Sequence, residues 1–70
     1  MWKVIYVASN QEVAARLRDA LAREGLLVNL RPVRGTEGSG PVEILVPRAE
    51  ARDAYELLTE ILGRTQPPRP

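Results

Sequence analysis

The run Trp2-Lys3-Val4-Ile5-Tyr6-Val7-Ala8 is strand-like and stops abruptly at the polar Ser9-Asn10-Gln11-Glu12. Alternation divides it into Trp2, Val4 and Tyr6 on one side and Lys3, Ile5 and Val7 on the other, so both of its faces carry apolar side chains. Such a strand asks for cover on two sides. The helical stretches that follow can supply it on only one, and this mismatch constrains the chain more than any other feature.

Ser9 and Glu12 predict a capping box, with the Ser9 side chain bonded to the Glu12 amide and the Glu12 carboxylate reaching back; Ala8 and Val13 flank it as a small hydrophobic staple. Val13, Ala14, Leu17, Ala20 and Leu21 then recur at helical spacing and draw a single apolar stripe. Glu12 with Arg16 and Asp19 with Arg23 place opposite charges four residues apart on the solvent side. Gly25 is expected to end this helix, because glycine takes the left-handed conformation without steric cost.

A second strand is expected over Leu26-Leu27-Val28-Asn29-Leu30-Arg31, and Pro32 places it at a sheet edge or at a strand end. Residues 34–41, Arg34-Gly35-Thr36-Glu37-Gly38-Ser39-Gly40-Pro41, read as a mobile loop. Val42 to Val46 alternates as a third strand. Pro47 suits the first turn of a helix, and Ala51, Ala54, Tyr55, Leu58, Ile61 and Leu62 mark a second amphipathic helix that Gly63 can close. Residues 1–63 thus predict a single α+β domain, and 64–70 a Pro-rich disordered tail. The tail also has the composition of a ligand for a proline-binding groove, although a frayed terminus accounts for it.

The order strand, helix, strand, strand, helix predicts a βαββα fold with both helices on one face of a three-stranded sheet. A right-handed crossover and an antiparallel hairpin allow the strand orders 2-3-1 and 3-2-1. The first is preferred because it leaves Pro32 at an edge, and it corresponds to a truncated ferredoxin-like unit. The uncovered face is expected to bear Trp2, Val4, Tyr6, Leu27, Asn29, Arg31, Glu43 and Leu45, which is too apolar for water. A whole ferredoxin-like domain adds a fourth strand beside strand one, where this chain has prolines. Strand one is then an unpaired, proline-free edge, and a homodimer through that edge, through the open face or through both is the expected consequence.

Composition excludes much chemistry. Seventy residues form one small domain that buries only about 60% of its unfolded surface. With no Cys and no His, disulfides, thiol nucleophiles, the usual general base and nitrogen or sulfur metal ligands are all missing, so no metal and no cofactor is expected. Oligomerisation remains as a means of stabilisation. Lys3 is the only lysine, and as the one possible Schiff base it sits on a terminal strand, where a solvated role explains it better. Ser9 lacks any neighbouring base. The acids Glu12, Asp19, Glu24, Asp53, Glu56 and Glu60 fall mostly on solvated helix faces and form no catalytic pair. Ten basic residues against nine acidic give no electrostatic signature for DNA or a membrane surface. The N-terminal stretch fits no signal peptide, and no run approaches the roughly 20 apolar residues of a spanning helix. A cytoplasmic location is the expectation.

Two binding alternatives follow from particular residues. Arg31, Arg34, Gly35, Gly38, Ser39 and Gly40 form a possible anion or small-ligand loop, although the loop lacks a phosphate-binding signature and leads into a strand rather than a helix. Trp2 and Tyr6 on one open face could stack the bases of single-stranded RNA, but Glu43 stands where such domains show aromatic or basic residues.

Trp2-Lys3-Val4-Ile5-Tyr6-Val7-Ala8, the Glu24-Gly25-Leu26-Leu27-Val28 turn and Glu43-Ile44-Leu45-Val46-Pro47 before a helix together resemble an uncharacterised bacterial family described as prokaryotic signal-transducing proteins, with a fold similar to the nitrogen-regulatory PII proteins. The resemblance covers about residues 1–62 and rests on structural motifs. It implies a regulatory module with a protein partner, and it sets residues 34–41 in the place of the PII loop that reaches the partner. No PII nucleotide-binding motif can be matched. Some similar small proteins carry the label glutamate decarboxylase, which this sequence does not support.

Overall fold

The computed structural model describes residues 1–35 and 38–65, with the backbone alone at 64 and 65. Its elements in order are β1 (Trp2–Ala8), α1 (Gln11–Arg23), β2 (Asn29–Pro32), β3 (Val42–Pro47) and α2 (Ala51–Thr65); a short 3-10 turn, Arg48–Glu50, leads into α2. The strands form one antiparallel sheet in the order β1-β3-β2. This is the expected α+β arrangement, with β3 in the centre. Pro32 lies on the edge strand β2, where a proline leaves no ladder bond unmade on the outer side.

Both helices cover one face. Ala14, Leu17 and Leu21 of α1 and Ala51, Ala54 and Leu58 of α2 pack on Ile5, Ala8, Val42, Ile44 and Val46 of the sheet, with Leu21, Ile44 and Val46 fully enclosed. The stripes read from three- and four-residue spacing are the stripes that face the sheet, except at Tyr55, which stands at the margin of the α2 stripe and is 41% exposed.

Local starts and stops differ from the expected ones in four places. Helix α1 is capped by Asn10 rather than Ser9: Asn10 is extended at φ −158°, and its side chain accepts a hydrogen bond from the Val13 amide at 2.9 Å. Serine and asparagine cap about equally well, so the sheet decides. Ala8 is still paired with Val42, and the chain needs Ser9 to turn. Glu12 then falls outside a capping box, and its carboxylate takes the guanidinium of Arg16 at 2.8 Å, as the four-residue spacing predicts. Asp19 pairs with its neighbour Arg18 at 3.2 Å instead of with Arg23.

Gly25 does end α1, at φ 91°. The Gly25 amide bonds the Ala22 carbonyl and the Leu26 amide bonds that of Leu21, the two bonds of a Schellman motif. Strand β2 then begins at Asn29, three residues later than expected. Asn29 faces Leu45, and beyond it β3 soon reaches Pro47, which has no N–H to offer a ladder. The Leu27 amide goes instead to the Glu50 carboxylate, at 3.1 Å. Leu26 and Val28 still pack against the core.

Pro47 closes β3 and precedes a 3-10 turn, so the α-helix proper starts later than the proline implies. Gly63 does not end α2, which continues to Thr65. Thr36, Glu37 and residues 66–70 of the expected loop and tail lie outside the described residues.

Candidate functional site

The open face of the sheet is set by a β-bulge. Between Val4 and Tyr6 the register of β1 against β3 shifts: Val4 stands opposite Leu45 and Tyr6 opposite Ile44, so Ile5 is the extra residue. Directly opposed residues share a face, which sorts the sheet into rows. Lys3–Val46, Tyr6–Ile44–Leu30 and Ala8–Val42–Pro32 point towards the helices; Trp2–Pro47, Val4–Leu45–Asn29 and Val7–Glu43–Arg31 point away.

The alternation rule fails at this single step. Ile5 and Tyr6 both turn inward, Ile5 into the core and Tyr6 against it, while Val7 is 49% exposed. Tyr6 therefore leaves the open face and Val7 leaves the expected core. The open face keeps Trp2, Val4, Asn29, Arg31, Glu43 and Leu45 and gains Val7 and Pro47. Leu27 precedes β2 and is 62% exposed. A β-branched run gives no warning of a bulge, so strict period-two reading could not locate it.

The surviving face has an apolar side and a polar side. Trp2, Val4 and Val7 line β1, and Leu45 lies buried in the middle at 6% exposure, outside the core cluster beneath the helices. On the β2 side the Arg31 Nε donates to the Glu43 carboxylate at 2.7 Å. The pair cancels its own charge. With Tyr6 turned inward, Trp2 is the single aromatic on this face, and the two-aromatic platform on which the RNA alternative rests is not formed.

The ligand loop is also redistributed. Arg31 belongs to the open face, bonded to Glu43. Gly38, Ser39 and Gly40 line a cleft of about 400 Å³ together with Asn10, Gln11, Glu12, Pro32 and Val42, whereas Arg31, Arg34 and Gly35 do not line it. The expectation that the loop meets no helix start is corrected here, because the cleft's opposite wall is the first turn of α1. The cause is topological: Ala8, Val42 and Pro32 form one row, so the end of β1, the start of β3 and the end of β2 share one end of the sheet. The strand order alone contained this juxtaposition. Among the described residues the sole charged one lining the cleft is Glu12, which opposes an anion.

Among the described residues no group of His, Cys, Asp and Glu is placed to hold a metal ion, and no helix is long and apolar enough to cross a membrane. Comparison with family models, with curated proteins and with solved structures finds no match to this chain.

Proposed function

We propose that this chain is a small non-catalytic interaction module that acts as a homodimer and serves regulation, as its resemblance to prokaryotic signal-transducing proteins implies. The observation that carries this reading is the layer structure: helices enclose one face of the sheet, while Trp2, Val4, Val7 and Leu45 sit on the other. Trp2 and Val7 are exposed there, beside the half-buried Val4 and the buried Leu45, and exposed apolar groups gathered on one side of so small a domain mark a contact surface. The absence of His and Cys from the sequence supports a role in binding rather than in acid–base or nucleophilic chemistry. A further protein is the partner this reading calls for.

Light scattering over a dilution series tests it. The expected mass is that of two chains at high micromolar concentration, shifting towards one chain in Trp2→Ala; a single-chain mass throughout would sink the reading. Affinity capture from the source cells, followed by mass spectrometry, then identifies the regulatory partner.

A second reading, a small-ligand sensor, is favoured by the cleft between Gly38-Ser39-Gly40 and the first turn of α1. With Glu12 on its wall it suits a neutral or cationic group rather than an anion. A panel of metabolites at millimolar concentration should then raise the melting temperature by binding the folded state. An unchanged melting curve across nucleosides, amino acids and amines would remove this alternative.

A further inference from the structure

Met1, Trp2, Val7, Leu27 and Tyr55 are the exposed large hydrophobic residues among those described, and four of the five stand along one edge of the sheet. Met1, Trp2 and Val7 lie on β1 or adjoin it. Tyr55 comes from α2, which packs on β1 and β3, and the Lys3 ammonium lies over its ring at 5.8 Å. Apolar surface therefore flanks β1 on both sides, Trp2 and Val7 on the open face and Tyr55 on the helix face. Single exposed hydrophobics need no explanation, but their collection beside one strand does.

The two edges of the sheet are guarded differently. Strand β2 has four residues, ending in Pro32, with Arg31 beside it; shortness, proline and charge all blunt an edge. Strand β1 has seven residues without proline, and its one charge, Lys3, leans onto Tyr55. The bulge at Ile5 adds twist to β1, which among the described residues pairs with β3 alone.

We propose that the edge of β1 is the dimer interface, its occupant being β1 of a second copy of this chain, antiparallel about a twofold axis normal to the sheet. This rests on the homodimeric reading above and fixes its geometry. A lone extended peptide would satisfy the backbone but lay nothing against Tyr55. A second copy brings Trp2 and Val7 to one flank and its own α2 to the other, because an isologous contact repeats every patch. Seven residues at about 3.3 Å each make an edge of roughly 23 Å. Across the 17 Å thinnest dimension of the molecule that is a contact of roughly 400 Å² per copy, about half the ~800 Å² usual for stable complexes. The dimer is therefore reversible and dissociates on dilution.

The chain has no cysteine, so each introduced thiol is unique. Val4→Cys, Val7→Cys and Asn29→Cys are treated separately with a short flexible bismaleimide at high protein concentration, beside the mass of the unmodified protein. In the edge dimer the two β2 strands lie five strand spacings apart, roughly 24 Å, so Val4→Cys or Val7→Cys crosslinks and Asn29→Cys does not. Crosslinking at Asn29 as well would show stacked open faces, overturning the edge geometry while leaving the homodimer intact. A dimeric mass with no crosslink at either β1 position overturns it likewise. A monomeric mass overturns both. Should a variant not fold, hydrogen exchange on the unmodified protein decides: raising the concentration should slow the β1 amides that do not bond β3 about tenfold, and unchanged exchange in a dimer rejects the edge.

Discussion

Ile44 and Leu45 are consecutive on β3 and almost equally hidden, at 0% and 6% exposure, yet they belong to opposite faces and are hidden by different means. Ile44 lies between Tyr6 and Leu30 in the sheet, under two helices that close over it. Leu45 lies between Val4 and Asn29, apart from that cluster. Low accessibility on one face records packing between two layers. On the other it records cover by neighbours within a single layer, which leaves little to hold the side chain once a neighbour moves. The contrast breaks most directly under truncation. Ile44→Ala removes a fully enclosed side chain and should cost about 3–4 kcal/mol, a large part of the roughly 4–10 kcal/mol available to a domain of this size. Leu45→Ala should cost about half as much, because the open face can relax around the gap. Equal losses in urea unfolding at low protein concentration would mean that the open face is a second core.

The two β1 aromatics sharpen the same comparison. Alternation places Trp2 and Tyr6 together, but the bulge separates them. Tyr6→Ala should destabilise the isolated chain by about 2 kcal/mol, less than a fully buried aromatic because Tyr6 is only half-buried. Trp2→Ala should change the stability of the isolated chain by less than about 0.5 kcal/mol, as befits an exposed site, and act on self-association instead. Measured together at low and high concentration, the two variants should exchange rank: Tyr6→Ala dominates unfolding and Trp2→Ala dominates dimer mass. If both altered association alone, the bulge would be misplaced.

Much of this architecture was legible because periodicity and punctuation agree. The stripes of α1 and α2, the edge position of Pro32 and the Schellman turn at Gly25 each rest on a local rule that tertiary structure does not oppose. The misreadings share a cause: a local preference was nearly balanced and the sheet settled it. Ser9 and Asn10 are both good caps, and pairing of Ala8 with Val42 selects the second. Leu26 to Val28 have strand-like side chains, but Pro47 leaves them without a complete ladder. Gly63 can end a helix or continue one, at a cost of about 1 kcal/mol relative to alanine, and α2 continues through it. At the candidate site, the composition of the open face was mostly readable, whereas the inward turn of Tyr6 was not, since a bulge is a property of two strands and periodicity describes one. The cleft at residues 38–40 was missed for a related reason. It is assembled by strand order from segments distant in the chain, and its glycines alone suggest nothing about the helix opposite.

The smallest effect tests whether the polar side of the open face is a structural element or a rim. Arg31 and Glu43 face each other across β2 and β3, bonded at 2.7 Å, with side-chain exposures of 60% and 25%. A cross-strand ion pair of this exposure stabilises by about 0.2–1 kcal/mol, screened further by salt. A double-mutant cycle with Arg31→Ala and Glu43→Ala should therefore return a coupling near 0.5 kcal/mol that shrinks in 1 M salt. In the edge-joined dimer this pair bridges β2 and β3, with β1 between it and the contact, and the coupling should be the same in dilute and concentrated protein. Stacked open faces would instead remove the pair from water, and a coupling that grows with concentration would show that the polar side is enclosed with the apolar one.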